Sequence, residues 1–266
     1  MEETDKIERQ RVHFENISEK YFESRQSENH LYLKDLMWSY FFKDKDYLKK
    51  KDGLSVLEPM CGYSEGKKII EKNVGAIRYY EGFDYSSVLI QKVKERNKNL
   101  NVYVQDITTF KSDKKFDLII LIGGLHHVPE FCEDAVKLLK KNLNEGGDFV
   151  VLEPTHNNYV FRKIRERIYR KNTLFDEQTE RAFTLKDLND LYFKNDYVLI
   201  DQMYPGLLSY TLFYNPDAFP FLNLGGKKLV KFFFKLDSLF FRNFVGRKLS
   251  FATLSLFRNE QPGHRA

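Results

Sequence analysis

Acidic residues, glycines and histidines follow the apolar stretches of this 266-residue sequence. Side chains of these types can hydrogen-bond hydroxyl and amine groups, and a histidine or carboxylate can take a proton from a reacting group. The positions are Glu58, the turn 61–66, Asp84, Asp106, 123–127 and Glu153. Turn residues also follow strands that have no function, so these positions indicate a functional site only when they are taken together.

Three places among these positions suit a nucleotide-like ligand. Cys61, Gly62 and Ser64 would let the backbone approach a ligand at the start of a helix, where N–H groups lack partners within the helix. Asp84 can accept hydrogen bonds from two ribose hydroxyls, and Asp106 can accept one from an exocyclic amine. The sequence therefore predicts a three-point binding site.

A nicotinamide dinucleotide is the competing ligand, because carboxylates that bind ribose serve both kinds of cofactor. Its G-x-G-x-x-G fingerprint is absent, and Met60 stands where a glycine would be required. Glu58 and Glu65 flank the turn and disfavour a pyrophosphate there. Hydride transfer is therefore the weaker interpretation.

Strand and helix patterns alternate around these positions. The predicted strands are 54–58, 79–83, 102–104, 116–122, 149–152, 197–202 and 250–257, and the predicted helices are 67–73, 87–97 and 131–143, the last stopped by the turn 145–147. This order indicates a doubly wound, mostly parallel α/β sheet with helices on both faces. Ligands of such sheets bind beyond the carboxyl ends of the strands, where the polar positions lie.

Two regions lie outside this alternating pattern. Residues 1–52 are charged and helical in pattern, and we interpret them as an N-terminal helical lid. Residues 205–246 form an aromatic and basic helical insert before the last strand, interpreted as a substrate cap. The core then comprises 53–204 and 247–258, followed by a tail at 259–266. A helix cap is predicted at 184–187, and a basic helix over 158–171 could attract phosphate-bearing substrates.

The stretch from Val56 to Gly66 resembles the first motif of class I S-adenosylmethionine-dependent methyltransferases: a strand, an acid and a glycine-rich turn that opens a helix. Asp84 lies 26 residues after Glu58, and Asp106 a further 22, where this family binds the ribose and the adenine amino group. Residues 116–119 and 125–130 resemble the fourth-strand signature of its quinone-biosynthesis-like branch, and 143–151 resemble the next turn and strand.

The resemblance covers about residues 50–155 and implies a Rossmann-like sheet of seven strands. It also implies S-adenosyl-L-methionine as cofactor and S-adenosyl-L-homocysteine as product. Met60 and Ser64 depart from the family, because they replace the first and third glycines of the turn; the Met60 side chain could crowd the cofactor or displace the turn. The residues to which the resemblance assigns cofactor binding are Tyr21, Arg25, Glu58, Met60, Cys61, Gly62, Ser64, Asp84, Tyr85, Gln105, Asp106, Ile107, Gly123 and Leu125.

His126 and His127 are the candidate catalytic residues. Either ring could take the proton of the acceptor as the methyl group transfers, and the sequence does not separate them from each other or from a plain polar turn. Their side chains should diverge, so a shared metal is not expected and no metal is assigned. Glu153 and Tyr210 are candidate substrate-binding residues; Glu153 could bind or deprotonate an acceptor, or merely cap the following helix.

Composition narrows the class of protein. Hydrophobic residues are 42% and charged residues 30%, which excludes the disordered and membrane-spanning classes. The net charge of +5 is too mild to indicate nucleic acid as a partner. Two cysteines cannot form a disulfide framework, and the charged first 20 residues lack an apolar signal core, so we expect a cytoplasmic protein.

Aromatic and basic residues concentrate after position 225. Residues 225–266 hold nine basic and two acidic side chains, and Phe233, Leu236, Phe240 and Phe244 fall near one face of a predicted helix. Such a helix could lie on the inner face of an anionic membrane, cover a lipid-linked acceptor or form a dimer contact. It could equally be a buried insert helix with solvated lysines.

We therefore expect an enzyme that moves a methyl group to a hydroxyl, amine or phosphate-type oxygen of a small molecule, a sugar or a lipid-linked glycan precursor. Methylation of protein or RNA stays open, because this fold is catalytically broad. The alternatives are a noncatalytic S-adenosylmethionine-binding relative and a membrane-surface protein that acts through residues 225–246.

Overall fold

The computed structural model describes residues 25–158, 182–216 and 219–260, with the single positions 11, 12, 15, 22, 23, 163 and 167. Seven strands in this part of the chain form one sheet in the order β3-β2-β1-β4-β5-β7-β6. The strands are β1 Leu54–Pro59, β2 Ile77–Asp84, β3 Val102–Val104, β4 Phe116–Ile122, β5 Leu143–Pro154, β6 Tyr197–Met203 and β7 Ala252–Asn259. The predicted mostly parallel α/β sheet is confirmed.

Eight α-helices connect these strands in the described residues. They are α1 Glu28–Phe42, α2 Glu65–Asn73, α3 Ser87–Arg96, α4 Cys132–Lys141, α5 Leu185–Phe193, α6 Leu208–Phe213, α7 Lys227–Ser238 and α8 Phe244–Leu249. Helix α4 shows why they form: Cys132, Ala135, Val136 and Leu139 recur at helical spacing, and all four are buried. The basic helix predicted over 158–171 lies outside the described residues, apart from positions 158, 163 and 167.

Parallel pairing brings the carboxyl ends of the strands to one edge of the sheet. Strand β1 pairs with both β2 and β4, and β4 pairs with β5 so that Ile122 lies opposite Leu152. At the opposite edge, Asp117 accepts hydrogen bonds from the backbone N–H and the hydroxyl of Ser55, at 2.9 and 3.1 Å. The central strands are therefore held in register by a buried carboxylate.

The start of β5 differs from the sequence-based expectation. The helix predicted to reach residue 143 ends at Lys141, and the segment 145–147, predicted as a stop, lies inside β5. Phe116 pairs with Leu143, whereas Leu118 pairs with Asp148, so the strand bulges between these pairs. Gly146 allows the bulge, because its φ of 68° lies in the left-handed region.

The prediction that residues 233–244 share one face of a single helix is wrong. Helix α7 ends at Ser238, and Phe244 begins the separate helix α8. Asn243 causes the new start, because its side chain accepts the N–H groups of Val245 and Gly246 at 3.0 and 3.2 Å.

The chain divides into two compact units, and β6 and β7 pass from one to the other. Unit 1 contains the described residues within Met1–Phe41, Pro154–Leu185 and Gln202–Leu254; unit 2 contains those within Phe42–Glu153, Lys186–Asp201 and Ser255–Ala266. The division predicted from the sequence into a lid, a core, a cap and a tail stays a prediction. No helix in the described residues combines the length and apolar character needed to cross a membrane.

Each unit has its own aromatic core. In unit 2, the ring of Tyr192 stacks on Phe257 at 4.1 Å and meets Phe149 edge-on at 5.2 Å. In unit 1, the ring of Tyr40 packs edge-on against Phe234 and Phe241, at 6.0 and 5.4 Å. These rings contribute large apolar areas to the two cores.

Candidate active site

Glu58 in β1 shapes the turn that follows it. Its carboxylate accepts the backbone N–H groups of Gly66 and Lys67 at 2.8 and 3.0 Å, and the hydroxyl of Tyr80 at 2.7 Å. A Cβ on Gly66 would lie 2.7 Å from the Glu58 carboxyl carbon, so the glycine is what lets the carboxylate reach the start of α2. Glu58 therefore fixes the backbone at the start of α2.

The turn after β1 keeps a glycine-like path although two of its residues are not glycine. Met60, Gly62 and Ser64 have φ angles of 50°, 48° and 58°, all in the left-handed region. A Cβ on Gly62 would meet no atom within 4 Å, so open space lies in front of this backbone. The substitutions at Met60 and Ser64 therefore change side chains while preserving the conformation that glycine favours.

The Met60 side chain packs against the turn after β4. A Cβ on Gly124 would lie 2.8 Å from the Met60 sulfur and 3.2 Å from its Cβ. The glycine at 124 therefore makes room for the methionine at 60, and the two turns are in contact at the edge of the sheet.

Asp84 ends β2 and is buried. Its Oδ2 accepts the N–H of Gly62 at 3.0 Å, and its Oδ1 accepts the N–H of Ser86 at 3.0 Å. Burial raises the pKa of Asp84, while hydrogen bonds from the backbone of Ser86 and Gly62 oppose that rise. Together with the bond from the Cys61 N–H to the Phe83 carbonyl at 2.9 Å, this carboxylate joins the first two turns.

The segment after β3 lies against Asp84 through its backbone. The N–H of Gln105 donates to the Asp84 carbonyl at 2.9 Å. The Asp106 carboxylate accepts the N–H and the hydroxyl of Thr108, at 2.8 and 2.9 Å, and so begins a short 3₁₀ turn. Ile107 in that turn is buried, whereas Asp106 is half-buried. The segments after β1, β2 and β3 are thus joined by hydrogen bonds, and we call them the rim at the carboxyl edge of the sheet.

The turns after β4 and β5 bring Glu153 and His126 together. Glu153 is fully buried, with 0% of its surface exposed, and its Oε1 accepts the N–H groups of Gly124 and Leu125 at 3.0 and 2.8 Å. Its Oε2 lies 2.9 Å from His126 Nδ1. The Gly123 N–H donates to the Leu152 carbonyl at 2.7 Å and fixes this arrangement.

The pair of Glu153 and His126 is built to hold a proton. Burial raises the pKa of Glu153 to about 8, although its backbone hydrogen bonds oppose the rise. Because two backbone N–H groups occupy Oε1, the shared proton lies on the Oε2 side, next to the imidazole. The Glu153 carboxyl therefore titrates in the range where biological proton transfers occur.

His127 is placed differently from its neighbour. Its ring lies 3.8 Å from the ring of His126, tilted by 40°, and its N–H donates to the Gly124 carbonyl at 3.0 Å. The structure thus separates two histidines that the sequence could not, because the hydrogen bond to the buried carboxylate is made by His126.

Three predicted site residues fall outside unit 2. Tyr21 lies outside the described residues. In unit 1, Arg25 donates to the Asn215 side chain at 3.1 Å and lies over the Tyr214 ring at 5.7 Å. Tyr210 stacks on Tyr214, with the rings 4.1 Å apart. The binding roles given to these residues stay predictions.

The remaining predicted residues of unit 2 lie in the same turns. Tyr85 is half-buried directly after Asp84, and Leu125 is fully buried. Burial raises the pKa of the Cys61 thiol well above its usual value, so the thiol stays protonated and is a poor nucleophile. Among the described residues, no group of three or more His, Cys, Asp or Glu side chains is arranged to hold a metal ion.

Contacts of three residues that hold the site in place were not predicted from the sequence. Ser86 donates to Asp84 and caps α3, a role that its position just before a helical pattern could have indicated. Tyr80 and Gly124 carry no such signal, because their contacts with Glu58, Met60 and Glu153 exist only once the strands are paired.

The order of the seven strands is that of class I S-adenosylmethionine-dependent methyltransferases, whose fold the chain shares. The chain belongs to the methyltransferase domain family, whose model matches residues 50–202. S-adenosylmethionine is the cofactor named for solved structures of this class of protein.

Comparison with one curated protein supports this assignment. The chain is 28% identical over 164 residues to a demethylmenaquinone methyltransferase of Staphylococcus haemolyticus (strain JCSC1435). The match covers 59% of this chain and 66% of that relative, just under two thirds of the relative's own length.

Two solved structures share the fold. An S-adenosylmethionine-dependent methyltransferase from Clostridium acetobutylicum ATCC 824 superposes with a TM-score of 0.54 at 13% identity, covering 84% of this chain and 91% of its own. Coclaurine N-methyltransferase bound to N-methylheliamine and S-adenosylhomocysteine gives 0.56 at 15% identity, covering 84% and 72%.

The described residues fit the cofactor of this class. The open space in front of Gly62 admits a ligand close to the backbone, and the buried Asp84 carboxylate stands beside it. When bound, the cofactor supplies an electrophilic methyl group on a sulfonium centre. The protein must then align an acceptor and manage its proton.

Proposed function

We propose that this methyltransferase acts on a hydroxyl, or on an amine or phosphate-type oxygen, of a small molecule, a sugar or a lipid-linked glycan precursor. His126 is the base in this proposal, and Glu153 is a positioning residue that acts through it. The observation that carries the proposal is the 2.9 Å contact between His126 Nδ1 and the fully buried Glu153 carboxylate.

The hydrogen bond to Glu153 determines which ring nitrogen can react. We assign the Nδ1 proton to the bond with Glu153, which leaves Nε2 able to accept a proton. The buried carboxylate also stabilises the imidazolium that forms. The ring that meets the Glu153 carboxylate belongs to His126, so His126 rather than His127 is assigned as the base.

The proposed transfer balances in a single displacement. The acceptor oxygen forms a bond to the methyl carbon, while its proton moves to His126 Nε2. The bound cofactor would supply the methyl carbon and would take up the electron pair of the broken carbon–sulfur bond, while His126 and Glu153 hold the acceptor's proton. The His126–Glu153 pair gains one proton, which it returns to solvent before the next turnover.

The similarity to a demethylmenaquinone methyltransferase favours a second candidate acceptor, the reduced ring of a quinone. A quinol presents a hydroxyl group whose proton a base could take, so the same His126–Glu153 pair would serve it. This candidate differs from the first in the acceptor atom: the ring carbon would bond to the methyl carbon, and its own proton would then leave to solvent while the oxygen regains one.

A turnover assay with labelled S-adenosylmethionine tests the proposal. The acceptor panel contains phenols, sugars, phosphate esters, amines and a short-chain quinol, and mass spectrometry identifies the methylated atom. With the best acceptor, His126→Asn should lower kcat by about 10²- to 10⁴-fold, the usual contribution of a general base. Asparagine can still donate to Glu153, so the fold should be kept.

His127→Asn is the matched control and should lower kcat by less than about tenfold. Wild-type kcat should rise with pH up to about 8, as the His126–Glu153 pair loses its proton, and His126→Asn should lack this rise. Equal losses in both variants, or an unchanged pH profile in His126→Asn, would remove His126 from this role. Calorimetry with S-adenosylhomocysteine checks that cofactor binding is intact.

A further inference from the structure

Helix α7 has three distinct faces. Val230, Phe234 and Asp237 point into unit 1 and are buried. Leu229, Phe232 and Leu236, at spacings of three and four residues, form an apolar line that is 40%, 55% and 43% exposed. The third face carries lysines. A helix that exposes an apolar line in this way presents a surface that a partner can cover.

The buried face is held without help from the exposed one. Asp237 accepts the N–H and the hydroxyl of Ser209, each at 2.6 Å. The rings of Phe234 and Phe241 pack 5.3 Å apart. Because these contacts fix α7 within unit 1, the exposed apolar side chains are not required to hold the helix in place.

The exposed apolar line continues beyond the end of α7. Leu239, Phe240, Phe244, Val245 and Leu249 are all exposed, and Phe244 is 69% exposed. A Cβ on Gly246 would lie 1.9 Å from the Phe240 carbonyl oxygen, so α8 packs directly on the turn after α7. We call the exposed side chains of residues 228–249 the α7–α8 surface.

Positive charge accompanies this apolar line. Lys228, Lys231 and Lys235 are exposed on α7, and Arg247 and Lys248 are exposed on α8. Lys227 pairs with Glu28 at 2.9 Å, but among the described residues no ion pair involves Lys228, Lys231 or Lys235. The one acid in residues 228–249 is the buried Asp237, so negative charge is absent from the α7–α8 surface.

We propose that the α7–α8 surface binds the surface of an anionic phospholipid bilayer, with its apolar side chains in the interface and its lysines on the lipid headgroups. Apolar residues beside a lysine face are what an interfacial helix requires. The proposal goes beyond the methyl transfer itself and does not depend on the identity of the acceptor.

A second copy of the chain is a poorer occupant of this surface. A two-fold interface places the same patch of each copy against the other. Lys228, Lys231 and Lys235 of one copy would then face those of the other without a compensating acid, whereas anionic headgroups compensate all three. Charge complementarity therefore favours the bilayer.

Vesicle sedimentation tests the proposal with the full chain. The protein should pellet with vesicles of phosphatidylglycerol and phosphatidylcholine, and much less with phosphatidylcholine alone. The triple variant Lys228→Gln, Lys231→Gln, Lys235→Gln should bind these vesicles about a hundredfold more weakly at low salt, because each lysine contributes a factor of about five. A second triple variant replaces the apolar side chains: Leu229→Gln, Phe232→Gln, Leu236→Gln. Its binding to the vesicles should be about tenfold weaker or more, because the apolar side chains that enter the interface are lost.

The matched control is Lys94→Gln, Lys98→Gln, Lys111→Gln, which removes three exposed lysines of unit 2 and should leave pelleting within about twofold of wild type. His126→Asn should also pellet like wild type, which separates this proposal from the catalytic one. Equal losses in the control, or no loss in either α7 variant, would overturn the proposal. So would a dimer in analytical ultracentrifugation that the apolar α7 variant dissociates.

Discussion

Two buried carboxylates at the same edge of the sheet differ in the partner of one oxygen. Asp84, after β2, accepts a backbone N–H on each oxygen. Glu153, at the end of β5, accepts two backbone N–H groups on one oxygen and meets the imidazole of His126 with the other. Backbone donors cannot titrate, whereas an imidazole can. One acid is therefore suited to fixing a binding turn, and the other to holding a proton.

The two carboxylates also share a feature. Burial raises the pKa of both. A raised pKa alone thus does not mark a proton-transfer site; the titratable partner does. Three variants test whether the two acids divide the work in this way.

The largest effect is expected from Asp84→Ala. Loss of this carboxylate should weaken S-adenosylhomocysteine binding by about 1–3 kcal/mol, the scale of a lost charged hydrogen bond. Isothermal titration calorimetry measures it, with thermal denaturation to confirm folding. Glu153→Gln should leave the same affinity within about twofold, and a comparable loss in both variants would contradict the division.

Glu153→Gln should instead change how stability depends on pH. Because the pKa of Glu153 is raised from 4.5 to about 8, its protonation stabilises the folded state fully below about pH 4.5, and this contribution is lost as the pH rises through about 8. The stability of wild type relative to Glu153→Gln should therefore fall by about 2 kcal/mol from pH 5.5 to pH 7. Urea denaturation at several pH values measures this difference, and a constant difference would count against a protonated Glu153.

The smallest effect is expected from Tyr80→Phe, which tests the third acid of the rim. The variant removes the hydroxyl that donates to Glu58 at 2.7 Å but leaves the two backbone donors of α2 in place. Unfolding free energy should fall by about 1 kcal/mol. Turnover and its pH profile should keep their wild-type form; a shifted profile would mean that Glu58 also takes part in proton transfer.

The sequence was sufficient to predict the sheet and the edge where the site lies. The apolar strand 116–122 and the acid that ends β2 can be recognised in the sequence, because a buried strand and the turn after it are local features. Apolar spacing also predicted α4 to within two residues at its end, but the bulge in β5 was missed because a glycine inside a strand looks like a stop.

The contact with Glu153 that distinguishes His126 from His127 could not be predicted from the sequence. It depends on Glu153, 27 residues away, which reaches His126 only because Ile122 pairs with Leu152. The position of the Met60 side chain could not be predicted from the sequence either, because the space for it is left by Gly124 on another turn. Pairwise fits of this kind appear only when the strands are assembled.

The position of β7 has a consequence for the order in which the sheet is completed. This strand, contributed by residues 252–259, lies between β5 and β6, although β6 precedes it in the chain. During synthesis β6 leaves the ribosome before its neighbour exists, and the edge of β5 stays open as well. In the nascent chain, the edges of β5 and β6 that pair with β7 therefore stay without hydrogen-bond partners until β7 has been synthesised.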